Sequence, residues 1–201
     1  MIRWLLTGTG RSATRFYSRY LTGLGYTCTH EYLFPLPSPR KDIKTNTILA
    51  EASWHAAPFL GMEELDSVKI IHLIRHPKLV IASVRFAGWM RLLPGISAFI
   101  QRYTPRVNSY PRALDKLACY YIEWHKLIEA NVQCKPVVFY VDKQRSQEML
   151  GIVEHSAPQC GAYDNDQDHS LGRVPGPELS EFTSDLRDEL IDFSQRHGYE
   201  W

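Results

Sequence analysis

The segment from Thr7 to Thr14 has the composition of a phosphate-binding turn. It reads Thr-Gly-Thr-Gly-Arg-Ser-Ala-Thr and lies between a short apolar run and a stretch with helical spacing. In that position the first backbone N–H groups of a helix converge on one point and favour an anion. Glycines let the chain turn tightly, Arg11 adds a fixed positive charge, and Ser12 and Thr14 add hydroxyl donors. A plain strand-to-helix turn capped by Ser12 is the alternative interpretation.

A second segment, Arg75 to Ser83, carries two more groups that suit a phosphate. Arg75 follows the apolar, β-branched run Val68–Ile74, and Pro77 fits the first turn of a helix. Ser83 then lies about two turns into that helix. An arginine at a strand end offers bidentate, charge-assisted bonds, and the serine offers a hydroxyl donor. We therefore expect Arg75 and Ser83 to bind the same phosphate group.

Neither segment has the pattern of a metal-dependent nucleotide site. A P-loop of the form G-x-x-x-x-G-K-[ST] needs a Lys for the β- and γ-phosphates and a Ser or Thr for Mg²⁺. Here Ala13 lies five positions after Gly8, and Thr14 stands where the Lys would be. Arg75 ends the strand that would supply the Mg²⁺-binding Asp in such proteins. The His and Cys spacings also lack a zinc pattern, so we predict no metal site.

The elements that must position these residues alternate between strands and helices. Apolar runs predict strands, helical periodicity predicts helices, and proline or glycine predicts irregular segments. The predicted strands are Ile2–Leu6, Tyr26–Thr29, Thr47–Ala50, Val68–Ile74 and Pro136–Val141. The predicted helices are Thr14–Leu24, Pro77 to about Met90, Leu114–Ile128 and Leu179 to about Gly198. The segments predicted to be irregular are Phe34–Arg40, Leu93–Pro111 and Gln159–Pro177. Strand–helix repetition with fully apolar strands predicts an α/β fold, a three-layer sandwich around a central, mostly parallel sheet.

Composition indicates one folded domain covering residues 1–201. Hydrophobic residues make up 44% and charged residues 22% of the 201 residues, which are ordinary globular values. The apolar runs are far shorter than the ~20 residues that cross a bilayer, so no membrane span is expected. The N-terminus lacks a signal-peptide pattern, and the four cysteines are widely spaced. These features predict reduced thiols and a cytoplasmic location.

Charge is unevenly distributed along the chain. The formal net charge is only +1, which gives no indication of bulk nucleic-acid binding. Yet the stretch from Ser67 to Arg112 contains eight Lys or Arg residues and no acidic residue. Two interpretations stay open. Either this stretch forms a positive wall that faces a polyanionic ligand, or its charges are balanced by acidic neighbours in space.

Taken together, the two phosphate segments resemble the PAPS-dependent sulfotransferases, where PAPS is 3′-phosphoadenosine 5′-phosphosulfate. That family has a strand followed by [K/R]-S-G-T-T and a later strand that ends in R-x-P-x-x-x-x-x-S. The matching segments here are Arg11–Arg15 and Arg75–Ser83, with Pro77 in place. The stretch from Gly172 and Arg173 to the C-terminal Gly198-Tyr199 is also similar. Two departures are Ala13 in place of Gly and Arg15 in place of Thr.

The resemblance implies a P-loop NTPase-like sulfotransferase fold and a specific distribution of roles. The 5′-phosphosulfate of PAPS would be held by Arg11, Ser12, Ala13, Thr14 and Arg15. Arg75 and Ser83 would hold the 3′-phosphate, which the product PAP retains. Phe16 matches a position where an aromatic ring stacks on adenine, although a core position is an equal alternative. Arg173 would close over the nucleotide.

The implied reaction moves a sulfonyl group in line from PAPS to a hydroxyl acceptor, without a metal. Arg11 and the turn amides would stabilise the negative charge that develops on the leaving phosphate. A general base must take the acceptor proton. The resemblance favours Glu31, which follows the second predicted strand, and His30, His55 and Glu51 stay open as alternatives.

The acceptor is expected to be a carbohydrate or another small hydroxyl compound. Its site would be flanked by Phe34–Arg40 and by Trp89–Arg112, which mixes aromatic rings with arginines. Three other functions stay open. They are a P-loop nucleotide kinase, a non-catalytic nucleotide-binding relative and, last, a nucleic-acid-binding domain, which would leave the first turn unexplained.

Overall fold

Five parallel strands form the central layer of the protein. The computed structural model describes residues 2–88, 94–153 and 175–201. The strands are β1 (Trp4–Gly8), β2 (Cys28–His30), β3 (Ala50–Ala52), β4 (Lys69–Ile74) and β5 (Val137–Tyr140). They form one sheet with the order β2-β3-β1-β4-β5, and every neighbouring pair is parallel. The predicted α/β class with a parallel central sheet is therefore confirmed.

Helices cover both faces of this sheet. They are α1 (Thr14–Gly23), α2 (Pro77–Phe86), α3 (Pro94–Tyr103), α4 (Ala113–Asn131), α5 (Glu148–Ile152) and α6 (Ser184–Arg196), with shorter 3-10 turns at Trp54–Phe59, Glu63–Leu65, Pro105–Ser109 and Leu179–Glu181. One apolar cluster joins α1 and α5 to the sheet, and a second, larger cluster joins α2, α4 and α6 to its other face. The result is three layers with two cores.

Alternation along β1 explains why the strand begins with an apolar run. Trp4 and Leu6 belong to the core on the α1 side, whereas Leu5 between them belongs to the core on the α4 side. Successive side chains of a strand point to opposite faces, so a strand covered on both sides is mainly apolar on both faces. The apolar residues that predicted β1 and β4 follow from this double burial, and Thr7 of β1 and His72 of β4 are polar residues that are buried as well.

Several predicted boundaries are wrong. The second strand, predicted at Tyr26–Thr29, is Cys28–His30, and the third, predicted at Thr47–Ala50, is Ala50–Ala52, because pairing with the neighbouring strands sets where each strand begins. The stretch Leu93–Pro111 was expected to be irregular because of its prolines, but Pro94–Tyr103 forms α3. Pro94 stands first in that helix, where its missing N–H costs no hydrogen bond, and the other prolines lie beyond the helix. The last helix begins at Ser184 rather than at Leu179, because Phe182 and Thr183 have extended backbones that separate it from a 3-10 turn.

Membrane spans, cysteine thiols and one irregular segment can be compared with the structure only over the described residues. Within the described residues, no helix is long and apolar enough to cross a membrane. Cys28, Cys119 and Cys134 have free thiols, and the first two are buried. Cys160 and most of the predicted irregular segment Gln159–Pro177 lie outside the described residues. The cytoplasmic location stays a prediction.

A buried histidine pair between the sheet and α4 makes stability depend on pH. His72 Nε2 lies 2.7 Å from His125 Nδ1, and both side chains are almost completely buried. Burial lowers the pKa of His72 to about 3 and holds the pKa of His125 well below its ordinary value. Both imidazoles are therefore neutral in the folded protein at neutral pH.

We expect the free energy of unfolding to fall as the pH drops from 7.5 to 5.5. The unfolded pKa of a histidine is about 6.5, so the stabilisation is complete above that pH and is lost as the unfolded chain takes up protons. His72 alone should contribute a loss of about 1 kcal/mol over this interval. Urea unfolding at the two pH values measures it, and His125→Phe should reduce the difference. A His125→Phe variant that loses as much stability as the unmodified protein between these pH values would contradict neutral burial of the pair.

Candidate functional site

The two phosphate segments meet because β1 and β4 are neighbours in the sheet. After β1 the chain passes through α1 to β2 and β3 on one side, and it then crosses to β4 and β5 on the other side. In open parallel sheets, ligands bind at the carboxyl ends of the strands where the strand order changes direction in this way. The Thr7–Thr14 turn follows β1, and Arg75 follows β4, so the two segments lie on either side of this crevice.

Gly8 is required by the close approach of β1 to β4. It pairs with Leu73 in the register of the sheet, and a Cβ atom at position 8 would lie only 2.5 Å from the Leu73 carbonyl oxygen. No side chain fits at that distance. The first glycine of the turn therefore has a packing role, which lets the tips of the two strands lie side by side.

Hydrogen bonds hold the turn from within. The Gly10 N–H donates to Tyr120 Oη over 2.8 Å, and the Ser12 N–H donates to the Thr9 carbonyl over 3.1 Å. The Ser12 hydroxyl lies 2.5 Å from Thr9 Oγ1, and both side chains are fully buried. Ser12 thus shapes the turn from inside and does not line the crevice.

The N-terminus of α1 is left without a side-chain cap. Ala13 occupies the N-cap position, where it has no acceptor to offer, and the first turn contains no acidic residue. Ser12 is therefore not the cap that the plain-turn interpretation required. Instead Arg15 adds a positive charge to the positive end of the helix dipole. An anion at this end would satisfy the first N–H groups and offset both charges.

Strained backbone conformations also concentrate here. Within the described ranges, the non-glycine residues with positive φ are Arg11 (73°), Ala13 (66°) and Glu31 (57°). For an L-residue this conformation costs roughly 1–2 kcal/mol. All three residues line a single cavity at the carboxyl ends of the strands. Such strain is retained where function requires a fixed geometry, which marks this cavity as the candidate site.

Arg11, Ser83 and Arg75 form a connected group at the crevice. Arg11 Nε donates to Ser83 Oγ over 2.9 Å, and Arg75 Nη1 donates to the Arg11 carbonyl over 3.3 Å. The first and second phosphate segments are therefore in direct contact. Arg11 connects Ser83 to Arg75, and the binding of one phosphate by Arg75 and Ser83 stays a prediction.

Asp142 is a residue of this group that sequence reasoning missed. It follows β5, and its carboxylate accepts from Arg75 Nε over 3.3 Å and from the His76 N–H over 2.6 Å. These bonds fix the direction of the Arg75 side chain. The signal was available, because Asp142 comes directly after the predicted strand Pro136–Val141, and parallel strands bring their carboxyl ends to one edge.

The cavity has a volume of about 450 Å³, and most of the predicted site residues line it. They are Arg11, Ala13, Thr14, Arg15, Phe16, Glu31 and Arg75. Ser12 and Ser83 are not among the lining residues, although Ser83 bonds the lining residue Arg11, and Arg173 lies outside the described residues. Phe16 also packs against Tyr20 with nearly parallel rings, 6.1 Å apart, so it serves the core as well as the cavity.

Most charges of the basic stretch Ser67–Arg112 do not face the cavity. Arg91 lies outside the described residues, and of the seven other basic residues only Arg75 lines it. Acidic neighbours balance others: Lys78 pairs with Glu178, Arg106 with Glu123, Glu189 and Asp185, and Arg112 with Asp115. The positive wall predicted from this stretch is therefore wrong for these residues, and the positive charge of the cavity comes mainly from Arg11, Arg15 and Arg19 around α1.

Glu31 is the carboxylate of the cavity. Its Oε1 lies 3.6 Å from His30 Nε2, its Oε2 lies 4.0 Å from His55 Nδ1, and it accepts a hydrogen bond from the Trp54 side chain. Partial burial, together with the nearby Glu51 charge, raises the pKa of Glu31 to about 7. A carboxylate with this pKa can take up a proton near neutral pH.

Glu51 supports Glu31 from behind. It is fully buried and does not line the cavity. Its carboxylate accepts hydrogen bonds from the Thr29 hydroxyl and from the Leu33 N–H. Backbone hydrogen bonds from Glu31 and Tyr32 also stabilise the charged carboxylate. Burial raises the pKa of Glu51 to about 7. Among the candidate bases, Glu51 therefore has the geometry of a residue that positions the Glu31 loop.

Two neutral histidines complete this end of the cavity. Burial lowers the pKa of both His30 and His55 to about 4. His55 Nδ1 lies 3.0 Å from the Phe34 carbonyl, which can only accept, so Nδ1 carries the proton. Its Nε2 is buried without a hydrogen-bond partner in the described part of the chain. His30 Nε2 lies 3.2 Å from Thr14 Oγ1 and so connects Glu31 to α1.

No family model matches the chain, and no curated protein matches it. A search of the described residues found no group of three or more His, Cys, Asp or Glu side chains that could hold a metal ion. The functional assignment therefore depends on the geometry of the cavity and on the motifs of the sequence.

Replacement of Ala13 by glycine should stabilise the protein by up to about 1 kcal/mol. Glycine adopts the left-handed conformation without steric cost, and this gain exceeds the extra entropy of glycine in the unfolded chain. Urea unfolding measures the change. Ala98→Gly is the matched control, because Ala98 is exposed within α3 and should lose about 1 kcal/mol. A destabilised Ala13→Gly variant would contradict the strained conformation.

Proposed function

We propose that this protein is a sulfotransferase that moves a sulfonyl group from PAPS to a hydroxyl acceptor. The observation that carries the proposal is the contact between the two phosphate segments, in which Arg11 bonds Ser83 and Arg75 bonds the Arg11 carbonyl. A nucleotide with phosphates at both its 5′ and its 3′ position needs two neighbouring anion-binding groups. The P-loop NTPase-like sulfotransferase fold is part of the same proposal.

The donor set suits PAPS. The uncapped N-terminus of α1, with Ala13, Thr14 and Arg15, would hold the phosphosulfate. Arg75, fixed by Asp142, would hold the 3′-phosphate together with Ser83. The four arginines that line the cavity outnumber its one carboxylate, as an anionic nucleotide requires. PAPS supplies the sulfonyl group and the phosphate that leaves.

Glu31 is the proposed general base. The acceptor oxygen forms a bond to sulfur while the bond from sulfur to the bridging phosphate oxygen breaks, and the acceptor proton passes to the Glu31 carboxylate. Negative charge then grows on the phosphate oxygen. Arg11 and the N–H groups at the start of α1 are placed to stabilise it. Glu51 keeps Glu31 in position, and the neutral imidazoles of His30 and His55 add little positive charge to lower its pKa.

PAP should raise the melting temperature of the protein without any metal. A ligand that binds only the folded state stabilises it, by about 2.7 kcal/mol at a concentration 100 times the dissociation constant. Arg75→Ala should weaken PAP binding by roughly 2–3 kcal/mol, because a buried charge-assisted bond is lost. Differential scanning fluorimetry and calorimetric titration measure the two effects.

Arg3→Gln is the control for this experiment, because Arg3 is exposed and precedes β1 at the opposite end of the sheet. Like Arg75→Ala, this substitution removes one positive charge, and it should leave PAP affinity unchanged. Greater stabilisation by ATP with Mg²⁺ than by PAP would overturn the proposal and favour the nucleotide kinase.

Glu31→Gln should abolish sulfonyl transfer and leave PAP affinity intact. The assay is transfer of radiolabelled sulfate from PAPS to a panel of hydroxylated compounds. In the unmodified protein, the rate should rise with pH through about 7, because Glu31 must be deprotonated to accept the proton. Glu51→Gln removes a like charge and should move this rise to lower pH.

Glu63→Gln, at an exposed carboxylate, is the matched control and should not change the rate. Transfer that persists in Glu31→Gln would assign the base to another residue, and His55, with its free Nε2, would be the next candidate. PAP binding without transfer to any compound in the panel would favour the non-catalytic relative.

A further inference from the structure

Arg19 lies on the cavity wall but has no role in the proposed nucleotide site. It follows Arg15 by four residues on α1, so the two side chains project from the same face of the helix, about 6 Å apart along its axis. Both residues line the cavity, and both are exposed to solvent. Arg15 is next to the helix N-terminus, whereas Arg19 is one turn further from it.

Neither arginine forms an ion pair within 4.0 Å among residues 2–88, 94–153 and 175–201. The carboxylate–arginine pairs at that distance in those ranges involve other arginines, such as Arg75 with Asp142. Arg15 interacts with Glu31 only at longer range and lowers its pKa slightly, whereas Arg19 has no such acidic neighbour in those ranges. Like charges four residues apart on a helix repel each other. Burial and these two arginines lower the pKa of His30, so its imidazole is neutral and adds no charge. An anion beside Arg19 would therefore be stabilised.

The position of Arg19 relative to Glu31 identifies which ligand this anion belongs to. His30 Nε2 is 3.6 Å from Glu31 Oε1 and 3.2 Å from Thr14 Oγ1, so Glu31 faces α1, the helix that carries Arg19. Glu31 and Arg19 line the same cavity, so one molecule can place a hydroxyl at Glu31 and an anionic group at Arg19. The groups expected to hold the nucleotide are Arg11, Arg75 and the first turn of α1, and Arg19 lies one turn beyond that first turn.

We propose that the acceptor carries a negatively charged group, such as a carboxylate or a sulfate, and that Arg19 binds this group. The inference depends on the proposed function, because it places the acceptor hydroxyl at Glu31. Leu36, Trp54 and Ile96 also line the cavity and would contact the apolar body of the acceptor. Arg19 is then a specificity residue that selects acidic over neutral hydroxyl compounds.

A pair of matched compounds tests the inference on the PAP-saturated protein. The acid is 4-hydroxyphenylacetate, and its neutral counterpart is 4-hydroxyphenylacetamide, which has the same ring and hydroxyl. Calorimetric titration should show tighter binding of the acid by about tenfold, since one charge-assisted pair is gained. In Arg19→Gln the preference for the acid should disappear while PAP affinity stays unchanged. Arg3→Gln, which removes the same charge at the far end of the sheet, should retain the preference.

The outcomes separate this inference from the proposed function. If PAP does not bind, the proposed function fails and the inference fails with it. If PAP binds but the two compounds give equal responses, including no response to either, only the inference is overturned. A preference that persists in Arg19→Gln also overturns it. A loss of PAP affinity in that variant would assign Arg19 to the nucleotide site and contradict its role towards the acceptor.

Discussion

The close approach of β1 to β4 is the constraint on which the whole site depends. It requires a residue without a side chain at Gly8, where even a Cβ atom would meet the Leu73 carbonyl oxygen at 2.5 Å. Because the strands are parallel and adjacent, the segments that follow them leave the same edge of the sheet. Arg75 therefore reaches the Arg11 carbonyl, and Arg11 reaches Ser83. A wider separation of the two strands would divide this group into two unrelated turns.

The charge of each ionisable group in the cavity is set by its burial and by the charged or polar groups next to it. At one end, α1 begins without a cap or an acidic residue, and arginines add to the positive end of its dipole. Close to it, across His30, burial raises the pKa of Glu31 to about 7, and Glu51 holds its loop in place. An anion site and a proton acceptor thus lie in the same cavity, and the strained conformations of Arg11, Ala13 and Glu31 keep them there.

The residue pattern along the chain predicted those parts of the site that depend only on neighbouring residues in the sequence. The apolar runs predicted the doubly buried strands, and the turn composition predicted the helix N-terminus at Thr14. Tertiary contacts decided the rest. Ser12 faces inward because its hydroxyl is hydrogen bonded to the Thr9 hydroxyl. Asp142 contacts Arg75 only because β4 pairs with β5 in the sheet. Proline content alone does not predict the helix at Pro94–Tyr103, because proline is tolerated at the first helical position.

A crystal structure of the complex with PAP tests the central claim most directly. The account predicts that the 5′-phosphate lies at the N-terminus of α1, within hydrogen-bonding distance of the backbone N–H groups at Ala13 and Thr14. It also predicts that the 3′-phosphate contacts the Arg75 guanidinium and the Ser83 hydroxyl. A ribose phosphate bound away from Arg75, or a nucleotide outside the cavity between the two strand ends, would contradict the account.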